Sequence, residues 1–307
     1  MSKSFLYVPY FRGKQFDLLG LKEAVNKDLI GENTIPLVEP VRDSKVMIQT
    51  IEAFIEKKKE LIILKNAQVG QVPLGTEKLY PFEEYFDSPY IIPAYQITND
   101  FNYELIAEKD FVFLSQDYAK ETLEEIVAEY QPRFHLIVDN ARLRKAVQHN
   151  RVFLSDPFTR LKHGADFLEL PDEFYCDDYK FLEEDGYIGF SNYGIDGQVY
   201  YDKGYPSKSV VLHILYLDKY QSLRIKHFAS DSNETASNPA GKFFEALDKL
   251  VAWYKKYEEE IPLTVGLKEL MSYQETQKYS GAGTTKKLLV MHQMELIKHF
   301  KTENSCT

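Results

Sequence analysis

Four carboxylates stand at or just past the ends of short apolar runs. Glu39 follows Ile35-Pro-Leu-Val38, Asp117 follows Phe111-Val-Phe-Leu114, Asp139 follows Phe134-His-Leu-Ile-Val138 and Asp156 follows Val152-Phe-Leu154. Carboxylates gathered at one mouth can hold Mg²⁺ or Ca²⁺ through oxygen ligands, or share general-acid and general-base work. The structural alternative for each acid is to cap the following helix or to pair with Arg12, Arg42, Arg142 or Arg144. Arg12 and Lys14 lie between the first apolar run and the first helical segment, in Tyr10-Phe-Arg-Gly-Lys14. Cations there oppose the helix dipole, so they fit an anion gathered by the helix N-terminus. For Arg12 the alternative is an ion pair with an acid such as Glu39. Asn66, Gln116 and Ser191 end other apolar runs and complete a candidate ligand-binding set.

Two histidines extend the chemistry. His213 interrupts the apolar run Val210-Val-Leu-His-Ile-Leu215, and His227 opens His227-Phe-Ala-Ser-Asp231. A lone histidine among branched residues is a satisfied core residue, or else a base or ligand pointing into a barrel or towards its helices. The spacing matches no zinc motif. Gly281-Ala-Gly-Thr-Thr-Lys-Lys287 resembles a phosphate loop but lacks the Walker spacing and a preceding strand. A Thr-capped helix after flexible glycines accounts for it, with anion binding at Lys286 and Lys287 as the alternative. The sequence contains no GxSxG elbow and no dinucleotide fingerprint, so a serine or cysteine nucleophile has no support.

The elements that must position these residues are legible as a rhythm. Apolar runs at 5–8, 35–38, 61–64, 90–94, 111–114, 134–138, 152–154 and 187–190 have the length and continuity of parallel strands covered on both faces. Helical spacing predicts α-helices over 15–27, 45–59 with Ser44 as N-cap, 121–130, 140–149, 241–256, 263–273 and 284–300, and one opening at Thr98-Asn-Asp100. A run at 209–216 predicts the last strong strand, and 198–201 a small hairpin. The fold class expected is α/β, a (β/α)8 TIM-barrel-like single domain over 1–307 with a decorated, helical C-terminal third. Residues 156–208 read as an insertion and 236–301 as helices packed on the barrel. In such a barrel the residues past each strand's C-terminal end converge on one mouth.

Composition narrows the function classes. The net charge of −10 argues against a general nucleic-acid-binding surface, because neutralising phosphates needs clustered Lys and Arg. Two cysteines, Cys176 and Cys306, give no disulfide framework and no cysteine-rich zinc site, which predicts a reducing cytoplasmic home. No run approaches the ~18 apolar residues of a membrane span, so no membrane partner is expected. Twenty-two Tyr and twenty Phe, many near run ends, read as core and rim packing, with a binding surface as the sharper alternative.

The stretches Tyr7-Val-Pro-Tyr-Phe-Arg-Gly-Lys14 and Ile35-Pro-Leu-Val-Glu-Pro40 resemble the uncharacterised "beta protein" family of phages and bacteria. Asp156-Pro-Phe158, Gly189-Phe-Ser-Asn-Tyr193, His213, His227-Phe-Ala-Ser-Asp-Ser-Asn233 and Gly241-Lys-Phe243 resemble a bacterial branch of it. The resemblance implies a barrel-like α/β fold and no particular reaction. It also implies a place in phage-related or defence gene cassettes, beside a small protein partner encoded nearby. The expected function is therefore a ligand- or protein-binding component, its mouth taking an anionic small molecule or a protein. The alternative is a metal-assisted hydrolase of a phosphate ester. There Glu39, Asp139, Asp156 and His213 would be catalytic, with Arg12, Lys14, Asn66, Gln116, Ser191 and His227 binding the ligand and a divalent metal as candidate cofactor.

Overall fold

Pro9 breaks the first apolar run into two short strands, Leu6–Tyr7 (β1) and Tyr10–Phe11 (β2), because proline has no N–H to continue the ladder. The chain is a computed structural model that describes residues 5–71, 79–107, 110–116, 123, 127, 129–195, 197–202, 207–279 and 281–305. Further strands follow at Leu37–Val38 (β3), Leu61–Leu64 (β4), Ile91–Gln96 (β5), Val112–Ser115 (β6), Phe134–Val138 (β7), Arg151–Ser155 (β8), Asp172–Cys176 (β9) and Gly189–Asn192 (β10). Nine of these strands form one sheet in the order β1-β10-β8-β7-β6-β5-β4-β3-β2, and every pair in it is parallel. β1 and β2 stand at opposite ends of that order yet are successive pieces of one run. The sheet is therefore curled, and the fold is a barrel-like α/β fold.

Alternation along the strands sorts side chains between the interior and the helix layer. Val8, Leu37, Ile62, Leu64, Ile92, Ala94, Val112, Leu114, Phe134, Leu136, Val152 and Leu154 fill the inside of the curl and are buried. The opposite parity, including Phe11, Val38, Ile63, Tyr95, Phe113 and Ile137, packs into the larger core under the helices. Two-residue steps from the interior set land on Arg12, Glu39, Asn66, Gln96, Gln116 and Asp156, at or just beyond the C-terminal ends of the strands.

The helices are set by their caps. Ser44 accepts from the Met47 N–H at the head of Lys45–Glu56 (α2), and Asn140 accepts from the Arg142 and Leu143 N–H groups at Ala141–Ala146 (α3). Gln15–Asn26 (α1) has no side-chain cap. The C-terminal third comprises Pro239–Tyr257 (α4), capped by Asn238, Val265–Thr276 (α5), capped by Thr264, and Gly281–Ser305 (α6). α6 lies along α1, where a Cβ at Gly283 would overlap the Phe16 ring. Lys286 in turn pairs with the buried Asp17 at 2.8 Å. Gly283 and Lys286 of the stretch that resembled a phosphate loop thus serve a helix–helix contact, and because α6 already begins at Gly281 its threonines lie inside the helix instead of capping it.

Three expectations change. The run at 209–216 is not part of the curled sheet. Val211–Leu217 (β11) pairs antiparallel with Leu223–Ala229 (β12), which pairs antiparallel with β9, making a separate three-stranded sheet. β12 alternates apolar and polar residues over Leu223-Arg-Ile-Lys226, as an antiparallel strand with two unlike faces does. After β5 the chain forms only a 3₁₀ turn at Tyr103–Leu105 instead of a helix opening at Thr98. Residues 198–202 are not in a strand, so the expected hairpin is absent there. Asp117 and most of the helix expected over 121–130 lie outside the described residues. Among the described residues, no helix is long and apolar enough to cross a membrane.

Candidate functional site at the barrel mouth

Arg12 and Glu39 form the centre of the mouth. Both side chains are buried, at 9% and 0% exposure, and the Arg12 Nη1 pairs with the Glu39 Oε2. The Tyr10 hydroxyl donates to the same oxygen at 2.6 Å, and the Gln68 backbone N–H donates to Oε1 at 2.7 Å. Both Glu39 oxygens are therefore engaged. The guanidinium also lies over the Tyr10 and Tyr193 rings, 5.1 and 5.3 Å from their centroids, and those rings are 4.6 Å apart. Burial raises both phenols above their ordinary range, more strongly than the adjacent Arg12 lowers them. They remain protonated hydrogen-bonding groups.

A second ion pair faces the first. Asp156 Oδ2 accepts from Arg160 Nη2 and from the Gln198 backbone N–H, the latter at 3.1 Å. The Gln198 carbonyl accepts from Arg12 Nη2 at 2.5 Å. Between the two pairs, Gln116 donates to the Tyr193 hydroxyl and accepts from the Gln198 side-chain amide at 3.4 Å. Arg12 Nε and Asp156 Oδ1 are buried without a hydrogen-bond partner. The mouth thus balances two guanidinium groups against two carboxylates and retains one donor and one acceptor.

The remaining predicted residues are elsewhere or otherwise engaged. Asn66 spans the neighbouring strand end, accepting from the Gln96 N–H and donating to its carbonyl, both at 2.8 Å. It lines the mouth while fixing β5. Ser191 donates to the Val8 carbonyl and is fully buried, so it ties β10 to the first run. Asp139 is a correction to the expected acid set. It is one residue out of phase with the interior-facing Leu136 and Val138, so it points outward, pairs with Arg144 and is 71% exposed. Lys14 is also displaced from the mouth. It lies over the Tyr200 ring, beside an outer cleft lined by Arg42, Asp43, Asp202 and Lys286.

His213 and His227 belong to the separate antiparallel sheet, so of the two directions expected for His213 the barrel interior is corrected, while the side towards the helices stands, where it borders Leu289, Val290 and Gln293 of α6. Their Nδ1 atoms are 2.7 Å apart, and His227 Nε2 lies 3.1 Å from Glu173 Oε1. A carboxylate only accepts, so His227 carries its proton on Nε2 and, when neutral, accepts at Nδ1 from His213. Thr159 donates to the other Glu173 oxygen at 2.6 Å, and the Phe158 and Phe167 rings enclose the pair. Burial lowers the His227 pKa against the opposing pull of Glu173. His213 borders a small cavity, about 30 Å³, that also touches Arg12 and lies against α6.

Sequence reasoning missed Tyr10, Tyr193, Arg160 and Gln198. Strand alternation carried the signal for Tyr10, and the i,i+4 spacing of Asp156 and Arg160 carried another. Nothing in the sequence marked Gln198. The Asn192 side chain accepts from the Tyr7 hydroxyl at 3.0 Å on the helix-facing side. Among the described residues, no group of three or more His, Cys, Asp or Glu side chains is placed to hold a metal ion. No protein-family model matches the chain, and no curated protein matches it.

Proposed function

We propose that the protein is a ligand-binding barrel whose mouth takes a polar group of little net charge, and that its curled sheet is a (β/α)8-type barrel. The barrel reading is supported by the backbone of the first run, which bonds on both edges. The Leu6 and Val8 N–H groups donate to the Ile188 and Phe190 carbonyls at 3.2 and 2.9 Å. On the other edge, the Tyr7 N–H donates to the Asn33 carbonyl, while the Leu37 and Glu39 N–H groups donate to the Pro9 and Phe11 carbonyls, all at 2.8–2.9 Å.

One observation carries the binding reading: each described acid of the mouth already holds a guanidinium. Glu39 is paired with Arg12, and Asp156 with Arg160. A metal-assisted hydrolase needs carboxylate lone pairs free to coordinate or to take a proton. Glu39 Oε2 already takes the Arg12 guanidinium and the Tyr10 hydroxyl and Oε1 takes the Gln68 N–H, so of the two acids only Asp156 Oδ1 stands without a partner, too little for a carboxylate-held metal. An anion would likewise compete with Glu39 for Arg12, which moves the expected ligand from anionic to neutral and polar. A few convergent donors and acceptors in a partly apolar mouth are the usual means of orienting such a ligand. The phage-related or defence setting and the small protein partner rest on the resemblance alone.

The test is a thermal-shift screen against divalent metals, nucleotides, sugar phosphates, amino-acid amides and short peptides. A neutral polar ligand at 100 times its Kd should stabilise by about 2.7 kcal/mol, or several degrees in Tm. The shift should vanish in Gln116→Ala and Asp156→Ala chains that remain folded. Stabilisation by Mg²⁺, Mn²⁺ or phosphate alone, lost in Asp156→Ala, would instead establish the hydrolase chemistry.

A further inference from the structure

We infer that the mouth recognises the main chain of an extended peptide, and that residues 197–202 of this chain occupy its place as a displaceable cap. This deepens, and rests on, the binding role proposed above. The observation is the treatment of Gln198. Its N–H is held by Asp156 at 3.1 Å and its C=O by Arg12 at 2.5 Å, so one acid and one base read both main-chain groups of a single residue. A neighbouring β-strand would satisfy the same two groups with its own backbone; here two side chains at the strand ends do so. The Gln198 carboxamide adds a bond to Gln116 at 3.4 Å.

The cap is held by these polar contacts more than by burial. Gln198 is exposed, Val199 and Tyr201 are 45% and 60% exposed, and the half-buried Tyr200 under Lys14 and the exposed Arg42–Asp202 pair are the segment's other anchors, so little apolar surface is uncovered when it lifts. Gly197 permits the close fit beneath it. Its φ is +66°, and a Cβ there would overlap the Arg160 guanidinium, so the chain lies flat on that group. The same two residues that grip Gln198 retain unused capacity at Arg12 Nε and Asp156 Oδ1, both buried. Leaving such groups unpaired is costly, and a peptide able to reach them gains what the cap does not supply. The charge balance fits as well: a main-chain amide is neutral and offers one donor and one acceptor.

The experiment uses a fluorescently labelled acetyl-Gly-Gln-Val-Tyr-Tyr-amide, the sequence of residues 197–201, and the full chain carrying Gln198→Pro. Proline removes the N–H that Asp156 holds and so releases the cap. The peptide should bind the Gln198→Pro chain at least tenfold more tightly than the unaltered chain by fluorescence anisotropy. Adding Asp156→Ala should abolish that binding. In the unaltered chain, excess unlabelled peptide should accelerate hydrogen exchange across residues 197–202, a measurement that needs no variant and decides the matter if Gln198→Pro does not fold. Binding that survives Asp156→Ala, or equal affinity for the capped and released chains, overturns the inference. So does the absence of both binding and accelerated exchange. In that last case, an Asp156-dependent shift with a non-peptide ligand in the thermal screen would leave the binding role standing, and its absence would remove both.

Discussion

Replacing Glu39 by alanine should destabilise the protein by about 3–5 kcal/mol, the range for breaking a buried ion pair from one side. The cause is the charge left behind. Arg12 is nine-tenths buried between two tyrosine rings, and removal of Glu39 leaves its guanidinium without a counter-ion in a poorly solvated site. The Tyr10 hydroxyl and the Gln68 N–H lose their acceptor at the same time. Because that cost is desolvation of an orphan more than lost attraction, a double variant Glu39→Met/Arg12→Met should recover most of it. Urea denaturation of the two singles and the double variant measures the coupling directly. A loss below about 1 kcal/mol in Glu39→Ala would mean that water or a rearranged acid reaches Arg12, and the mouth would not be the closed, charge-balanced site described above.

Acidification should destabilise the fold sharply between pH 6.5 and about 4. Burial pushes His135 down to about 3 and His292 to about 4. Each is held neutral by its surroundings. His292 directs Nε2 at the Leu215 carbonyl at 2.7 Å, which requires the proton there, and its Nδ1 meets the Thr264 hydroxyl at 2.7 Å. His135 lies 2.9 Å from the Ser115 hydroxyl against the Phe113 ring. In this window the unfolded chain protonates both imidazoles and the folded chain protonates neither. Stability is therefore fully present above the unfolded pKa and declines as pH falls, by about 1.4 kcal/mol per pH unit for each group. Changing both histidines to glutamine should flatten the decline, as read from denaturation midpoints at pH 6.5, 5.5 and 4.5. Parallel pH profiles for the two chains would show that neither imidazole governs the acid response.

The run-and-break rhythm was enough to predict parallel strands, since a strand covered on both faces must be apolar along its whole length. Caps were equally local: Ser44 and Asn140 sit beside the N–H groups they satisfy. Alternation also made the fate of the acids legible in principle. Glu39 and Asp156 are in phase with interior residues of their strands, whereas Asp139 is one residue out. Reading run ends without counting phase placed all three in one set.

The parallel runs, the capped helix starts at Ser44 and Asn140 and the layer of polar residues past the strand ends are legible in the sequence alone, because those depend on periods of two and 3.6 residues and on neighbours a few positions away. Only the tertiary structure decided which guanidinium each acid meets, that His213 and His227 share a separate antiparallel sheet, and that Gln198 covers the mouth. Arg12 finds the Gln198 carbonyl across 186 positions of chain and His227 finds Glu173 across 54. Contacts of that span are set by how the sheet curls and where the chain beyond β8 returns to it, and no local pattern encodes them.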